Sequence, residues 1–449
     1  MRNICALTFL SLSLYSCKKN VIDELSKLSP ITVEVVQRSP NSAIIKWTSS
    51  QSATELAQYD IILAGKVIRT NLNTTMDTIM NLRQGSAYLG RVIAHTSSGD
   101  TTSAPFTLEK VDGYILFGNY RNNSLFSCYN IYSSGKIWTT PYYGAFYFDN
   151  IPTIVNDTVY ANSSESGTWA LNLKTGKEIW NSPKGGKLAP LYNNGIIYSV
   201  GMNDITALNT KSGDIIWTYT YNITIGFYCN PVIAGNYLIT GTQWLLIAVN
   251  IANGTKAWEY EFKSNTMSHP VVYKNLLITG CSDGKIYAFN NQTGKVVWIK
   301  DLSRVDNNFG TDDISPIIYN DNVIVHSGNS GYYSLNPLTG TTIWNYPDAY
   351  NVSSPAAGNG LIYFANILSP HTAVALNASI GTVAWERSIG NPVTPIYIKG
   401  RLYFGFTVLD ATSGNRYLTL AGNEDDGATT TAIVENGVSY YPAESGMVQ

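Results

Sequence analysis

The chain has 449 residues, a formal net charge of −2 and 13 % charged side chains, about half the roughly 25 % usual in globular proteins. That balance excludes an electrostatic nucleic-acid binder, and the length allows two or three domains. Low charge with 31 Tyr and abundant Asn, Ser and Thr suits an exported all-β protein.

Residues 1–16 read as a signal peptide: Arg2 supplies the positive start, and residues 4–15 supply an apolar run too short to cross a bilayer as a helix. Residues 14–17, LYSC, resemble the lipobox of bacterial lipoproteins. The resemblance implies cleavage before Cys17 and lipidation of that Cys, so the membrane is met through an N-terminal lipid. Lys18 follows and nothing there resembles an inner-membrane retention signal, so the expected location is the outer membrane. Residues 17–29 form the lipidated Cys and a tether. No later segment reaches the length of a transmembrane helix.

Residues 30–108 change character. Residues 31–36 (ITVEVV), 43–47 (AIIKW) and 59–63 (YDIIL) alternate as strands. Residues 82–94 (LRQGSAYLGRVIA) follow. Leu, Gly and Tyr at this spacing, with a Trp on an early strand, resemble a fibronectin type III domain. The resemblance implies a β-sandwich with Trp47 as core plug and Tyr88 as the corner tyrosine.

From residue 111 onward one phrase recurs. It reads CYNIYSSGKIW ending at Trp138, ALNLKTGKEIW at Trp180, ALNTKSGDIIW at Trp217 and AVNIANGTKAW at Trp258. It continues as AFNNQTGKVVW at Trp298, SLNPLTGTTIW at Trp344 and ALNASIGTVAW at Trp385, then as VLDATSGNRYL, where Leu418 replaces the Trp. A period near forty residues with strand composition predicts a propeller or solenoid. Asn or Asp starts a turn, Gly completes it, and the Trp closing the next strand can seal one blade on its neighbour. A second hairpin precedes each copy, which gives four strands per repeat. The phrase resembles the pyrroloquinoline-quinone-type (PQQ-like) propeller repeat over residues 111–449. The expected architecture is all-β: an eight-bladed β-propeller, with seven as the alternative count, behind the sandwich. Residues 431–441 (TAIVENGVSYY) should lend a strand to the first blade and close the ring.

Cys5 leaves with the signal. Cys128, Cys229 and Cys281 fall in different repeats, so no disulfide framework is expected. Cys128 stands where other copies carry Ala170, Ala207 and Ala288 and reads as a small core residue.

The residue before the Pro that opens each repeat should look into the funnel: Ile151, Ala189, Asn230, His269, Ser315, Ser354 and Thr394. Loops on that side are aromatic, with Tyr142, Tyr143, Phe146, Tyr147 and Phe148, then Tyr219, Tyr221, Phe227 and Tyr228, then Phe309, Tyr346 and Tyr350. Arg304, Asp312 and Asp313 are interleaved, and hairpin tips there carry Trp244 and His371. Aromatics with a few polar groups suit a protein or glycan partner.

Four scattered His, no Gly-x-Ser-x-Gly and no phosphate loop leave no recognised catalytic motif. Residues 306–313 and 423–427 are acidic but miss the calcium-loop pattern, because Gly310 falls one position early. No metal is expected. The adjacent Cys pair and calcium carboxylates of the quinoprotein dehydrogenases find no counterpart, so no quinone cofactor is expected. The chain is similar to the propeller lipoproteins of the outer-membrane barrel-assembly machinery, which implies a periplasmic docking scaffold. The expectation is a monomeric, lipid-anchored, non-catalytic scaffold that binds an envelope protein. The alternatives are a glycan-binding or glycan-processing accessory at the cell surface and a quinone-dependent dehydrogenase.

Overall fold

A computed structural model of the chain describes residues 28–442 except 39–41, 52–54, 83–85, 110, 112, 120–125, 132–134, 141–150, 164–165, 222–226, 243, 264–267, 303–315, 328–330, 348–351, 391, 420–427 and 436. Among the described residues there is no helix. They divide into two compact units, Met1–Asp112 and Gly113–Gln449.

In the first unit, Val33–Arg38, Ala43–Trp47 and Met76–Ile79 form a three-stranded antiparallel sheet. Lys66–Leu72, Gln58–Leu63, Tyr88–His95 and Thr101–Leu108, in that spatial order, form a four-stranded one. Alternation turns one face of Ala43–Trp47, Gln58–Leu63 and Thr101–Leu108 inward. Ile45, Trp47, Tyr59, Ile61, Val92 and Leu108 meet in one core, with Tyr88 half-buried at its margin. The rings of Trp47 and Tyr59 lie 5.6 Å apart. The Tyr59 hydroxyl accepts the Ser50 N–H at 2.7 Å.

The described residues of the second unit form eight antiparallel sheets, seven of them four-stranded and built from consecutive strands. The fifth is typical: Val271–Tyr273, Leu276–Cys281, Lys285–Asn290 and Val296–Asp301. The recurring phrase is the hairpin joining third and fourth strands. Asn290 Oδ1 accepts the N–H groups of Gln292 and Thr293, both at 3.0 Å. Gly294 then takes φ 67° and donates to the Asn290 carbonyl at 2.9 Å, a backbone region that costs a larger residue steric energy.

The first residue of the phrase lies directly across from the Trp that ends it. Ala170 pairs with Trp180, Ala207 with Trp217, Ala248 with Trp258, Ala288 with Trp298 and Ala375 with Trp385. Ser334 faces Trp344 and Cys128 faces Trp138. A small side chain leaves the pleat open for an indole. In the eighth copy Val408 faces Leu418, so the small partner and the large one have changed together.

Each Trp then reaches into the next sheet. Its Nε1–H donates to a turn carbonyl there: Trp138 to Leu173, Trp180 to Thr210, Trp217 to Ile251, Trp258 to Asn291, Trp298 to Pro337, Trp344 to Ala378 and Trp385 to Ala411. Trp138, Trp180, Trp344 and Trp385 are buried, and the other three half-buried.

The C-terminal hairpin closes the array. Ala428–Glu435 pairs with Gly113–Asn119, the place that first strands hold in other sheets, and Val438–Tyr440 pairs beyond it as a fifth strand. The sequence led us to expect one lent strand; two are lent because the hairpin stays paired with itself through Ile433 and Tyr440. Tyr441 accepts the Ile154 N–H at 2.7 Å and so ties this sheet to the second. Arg401 of the eighth sheet meets the buried Glu435 at 2.5 Å.

Candidate functional site

In a four-stranded antiparallel sheet the start of the first strand and the turn between second and third strands lie at one end. The turns between first and second and between third and fourth lie at the other. Six of the first strands follow directly on a Pro, and that of the fourth sheet, Phe227–Ala234, holds Pro231 within it; each Pro fixes φ and holds the preceding residue extended.

Three of those preceding residues form one hydrogen-bonded line across consecutive sheets. Asn230 Oδ1 accepts the Ala189 N–H at 2.9 Å, and His269 Nδ1 accepts the Asn230 N–H at 2.8 Å. Asn230 is buried and His269 half-buried. Burial lowers the His269 pKa to about 4. The ring is therefore neutral at pH 7, and an accepting Nδ1 puts its proton on Nε2. Behind the line, Asn162 donates to the Leu188 carbonyl at 2.5 Å, and Ser199 donates to Asn162 Oδ1 at 3.1 Å. A buried network with its members bonded holds its end of the sheets rigid.

Ile151 and Ser354 are buried, Thr394 is half-buried, and Ser315 lies outside the described residues. So do Tyr142, Tyr143, Phe146, Tyr147, Phe148, Arg304, Phe309, Asp312, Asp313 and Tyr350, with both acidic loops, Cys5 and Cys17. Tyr228 belongs to the strand Phe227–Ala234. Tyr221 packs half-buried beside Tyr219, their rings 6.3 Å apart, and Tyr346 packs half-buried near Phe364. Phe227 is wholly buried, which corrects its reading as a loop aromatic: the strand begins four residues before its Pro and carries Phe227 into the core.

Three hairpin tips at this end stand out of the surface. Trp244 is 38 % exposed, Met202, on the neighbouring sheet, 51 %, and Ile367 and Leu368, on the seventh sheet, 44 % and 60 %. Met202 escaped the sequence reading. Its signal was an apolar residue at the tip Gly201-Met202-Asn203, where a turn needs none. His371 sits half-buried at the same tip as Leu368.

The thiols are not poised to react. Cys128, Cys229 and Cys281 are buried and unbridged, and burial pushes Cys281 up to about 11 and Cys128 further. Among the described residues no group of three or more His, Cys, Asp or Glu could hold a metal ion. Among the described residues, too, no helix is long and apolar enough to cross a membrane.

Comparison with known proteins places this geometry. A PQQ-type family model, described as outer membrane protein assembly factor BamB, matches residues 34–182 and 201–417. The chain belongs to this family. The assembly factor BamB of Yersinia pestis is 23 % identical over 355 residues, 71 % of this chain and 89 % of that one. The crystal structure of BamB from Moraxella catarrhalis superimposes with a TM-score of 0.52 at 15 % identity, covering 73 % of this chain and 90 % of that one. At that identity the likeness establishes the β-propeller fold. Tetrathionate hydrolase of Acidithiobacillus ferrooxidans is 27 % identical over 259 residues, 54 % of this chain and 48 % of the enzyme. The match thus spans about half of that relative. This finding corrects the expectation of a non-catalytic chain: an enzyme matches 54 % of it, so the lack of a recognised motif does not exclude catalysis.

Proposed function

We propose that this member of the family is an outer-membrane lipoprotein whose propeller docks an envelope protein through the end carrying His269, Trp244 and Met202. In this reading Cys17 carries the lipid, the first unit is a fibronectin type III-like spacer, and the eight sheets are eight blades.

The observation that carries the reading is the pair of exposed tips, Trp244 and Met202, on neighbouring sheets of a rigid array. A large aromatic on an immobile support gives contact area at little entropic cost, and such residues dominate protein interfaces. Met adapts to irregular apolar partners. The line from Ala189 to His269 fixes the strand starts at the same end. Membership of a family described by an outer-membrane assembly factor supports a protein partner in the envelope.

The test is affinity capture from a detergent extract of the native membrane, followed by mass spectrometry. Trp244→Ser with Met202→Ser should lose a partner that the unmodified chain retains, at an unchanged melting temperature. Retention of every partner by the double variant would refute the assignment of this end. Cys17→Ala should move the protein to the soluble fraction, and continued membrane retention would refute the lipid anchor.

A further inference from the structure

The opposite end of the propeller has a different chemistry. There the phrase turns of the first five sheets each carry a lysine: Lys136, Lys177, Lys211, Lys256 and Lys295, all exposed. The turns of the sixth and seventh sheets carry none. In their place Leu338 is 50 % exposed and Ile380 61 %. Lys256 is paired with Glu259 at 3.0 Å. Among the described residues Lys136, Lys177, Lys211 and Lys295 have no ion-pair partner. Several acids share this end but are engaged: Asp157 holds Lys174 at 2.7 Å, Asp321 accepts from the Tyr273 hydroxyl at 3.0 Å, and Asp410 accepts from its own turn. Glu178 and Asp214 are exposed. The chain as a whole is net negative, so the lysines at one end are a local arrangement.

We infer that this end rests on an anionic lipid surface, the five lysine turns at the headgroups and Leu338 and Ile380 entering the acyl boundary. The turns end one ring of sheets and are short and alike, so together they offer a broad contact rather than a groove. Charge complementarity selects the anionic surface: lysines near such a membrane each contribute favourably within a Debye length. The exposed apolar tips select lipid over an acidic protein, because an interfacial site combines cations with apolar side chains that enter the boundary. Lysine stems also cover apolar surface while the ammonium stays wet, and Val297, 52 % exposed, lies two residues beyond Lys295. The inference does not depend on the partner assigned to the other end.

The test is flotation of the full chain bearing Cys17→Ala, so that no acyl group contributes. The vesicles are phosphatidylcholine alone or with about one-third phosphatidylglycerol. The expected result is binding to the anionic vesicles only, reduced about tenfold between roughly 0.05 and 0.3 M salt. Lys177→Glu with Lys211→Glu and Lys295→Glu should reduce binding about tenfold or more, as should Leu338→Ser with Ile380→Ser. Circular dichroism checks that the variants fold, and the salt dependence of the unsubstituted turns stands independently of them. No flotation, equal flotation on both vesicles, or binding indifferent to salt and to both variants would overturn the inference. Self-association without vesicles, abolished by the lysine reversals, would make this end an interface between copies and overturn it equally.

Discussion

Gly213 lies flat against the indole of Trp180. A β-carbon at Gly213 would fall 2.7 Å from Cε3 of that ring, while the ring's Nε1–H donates to the Thr210 carbonyl at 2.9 Å. One residue of the turn takes the face of the indole and another its edge. The relation recurs between Trp258 and Gly294, Trp298 and Gly340, Trp344 and Gly381, and Trp385 and Gly414. The Gly of each of these phrases therefore serves two masters: its own turn, through positive φ, and the Trp of the sheet before.

The two roles separate by mutation. Gly213 has φ 75° and Gly195 φ 81°, but nothing lies within 4 Å of a β-carbon on Gly195. Gly195→Ala should cost only the backbone strain, about 1–2 kcal/mol. Gly213→Ala should add about 1–3 kcal/mol for the displaced indole. Urea unfolding of the two variants measures the difference. Equal losses would mean that the seam tolerates an extra carbon.

Tryptophan truncation should divide along the same line. Trp180→Ala removes a 7 % exposed ring that joins two sheets and should cost about 3–5 kcal/mol. Trp244→Ala removes an exposed tip and should stay within about 1 kcal/mol. Thermal unfolding compares them, and similar losses would contradict the register of strands described above.

Much of this propeller was legible because each repeat states its own pairings. Asn, Gly and Trp mark the outer hairpin, and the small residue opposite the Trp explains why Cys128 can stand where other copies carry Ala. The Pro that follows each of them in its repeat put Asn230 and His269 at the same end. The hydrogen bond between them was not legible, because it joins neighbouring sheets across 39 residues. Phe227 misled for a related reason. Its strand shifts register between Cys229 and Val232, and a bulge is invisible to alternation. The seam at Leu418 was also hidden. With no Trp, Phe406 crosses from the eighth sheet and stacks on Phe117 at 4.4 Å.

That last seam also carries the Arg401–Glu435 pair. Glu435 is 5 % exposed, and Lys399 is the further cation, at 3.7 Å. Arg401→Met should destabilise the chain by up to about 3 kcal/mol, since it removes the nearer of two cations from a buried carboxylate. Adding Glu435→Gln should restore a large part. A double-mutant cycle by urea unfolding reads the coupling, and strict additivity would show that the pair does not hold the seam.

His269 gives the fold a pH dependence. Its folded pKa, about 4, lies below the ordinary 6.5, so between those values the unfolded chain binds more protons. Stability therefore rises with pH across that window, is complete above about 6.5 and is lost below about 4, by up to about 3 kcal/mol. Protonating Nδ1 would also set two donors face to face at Asn230. His269→Asn should flatten this part of the profile, measured as melting temperature against pH. An unchanged slope would place the titration elsewhere.

Site-specific photo-crosslinking in the native envelope distinguishes the two ends of the propeller most directly. A photoreactive residue at Trp244 should form adducts with a protein, and one at Lys177 should form none. Protein adducts at Lys177, with none at Trp244, would contradict the assignment of the partner to the His269 end.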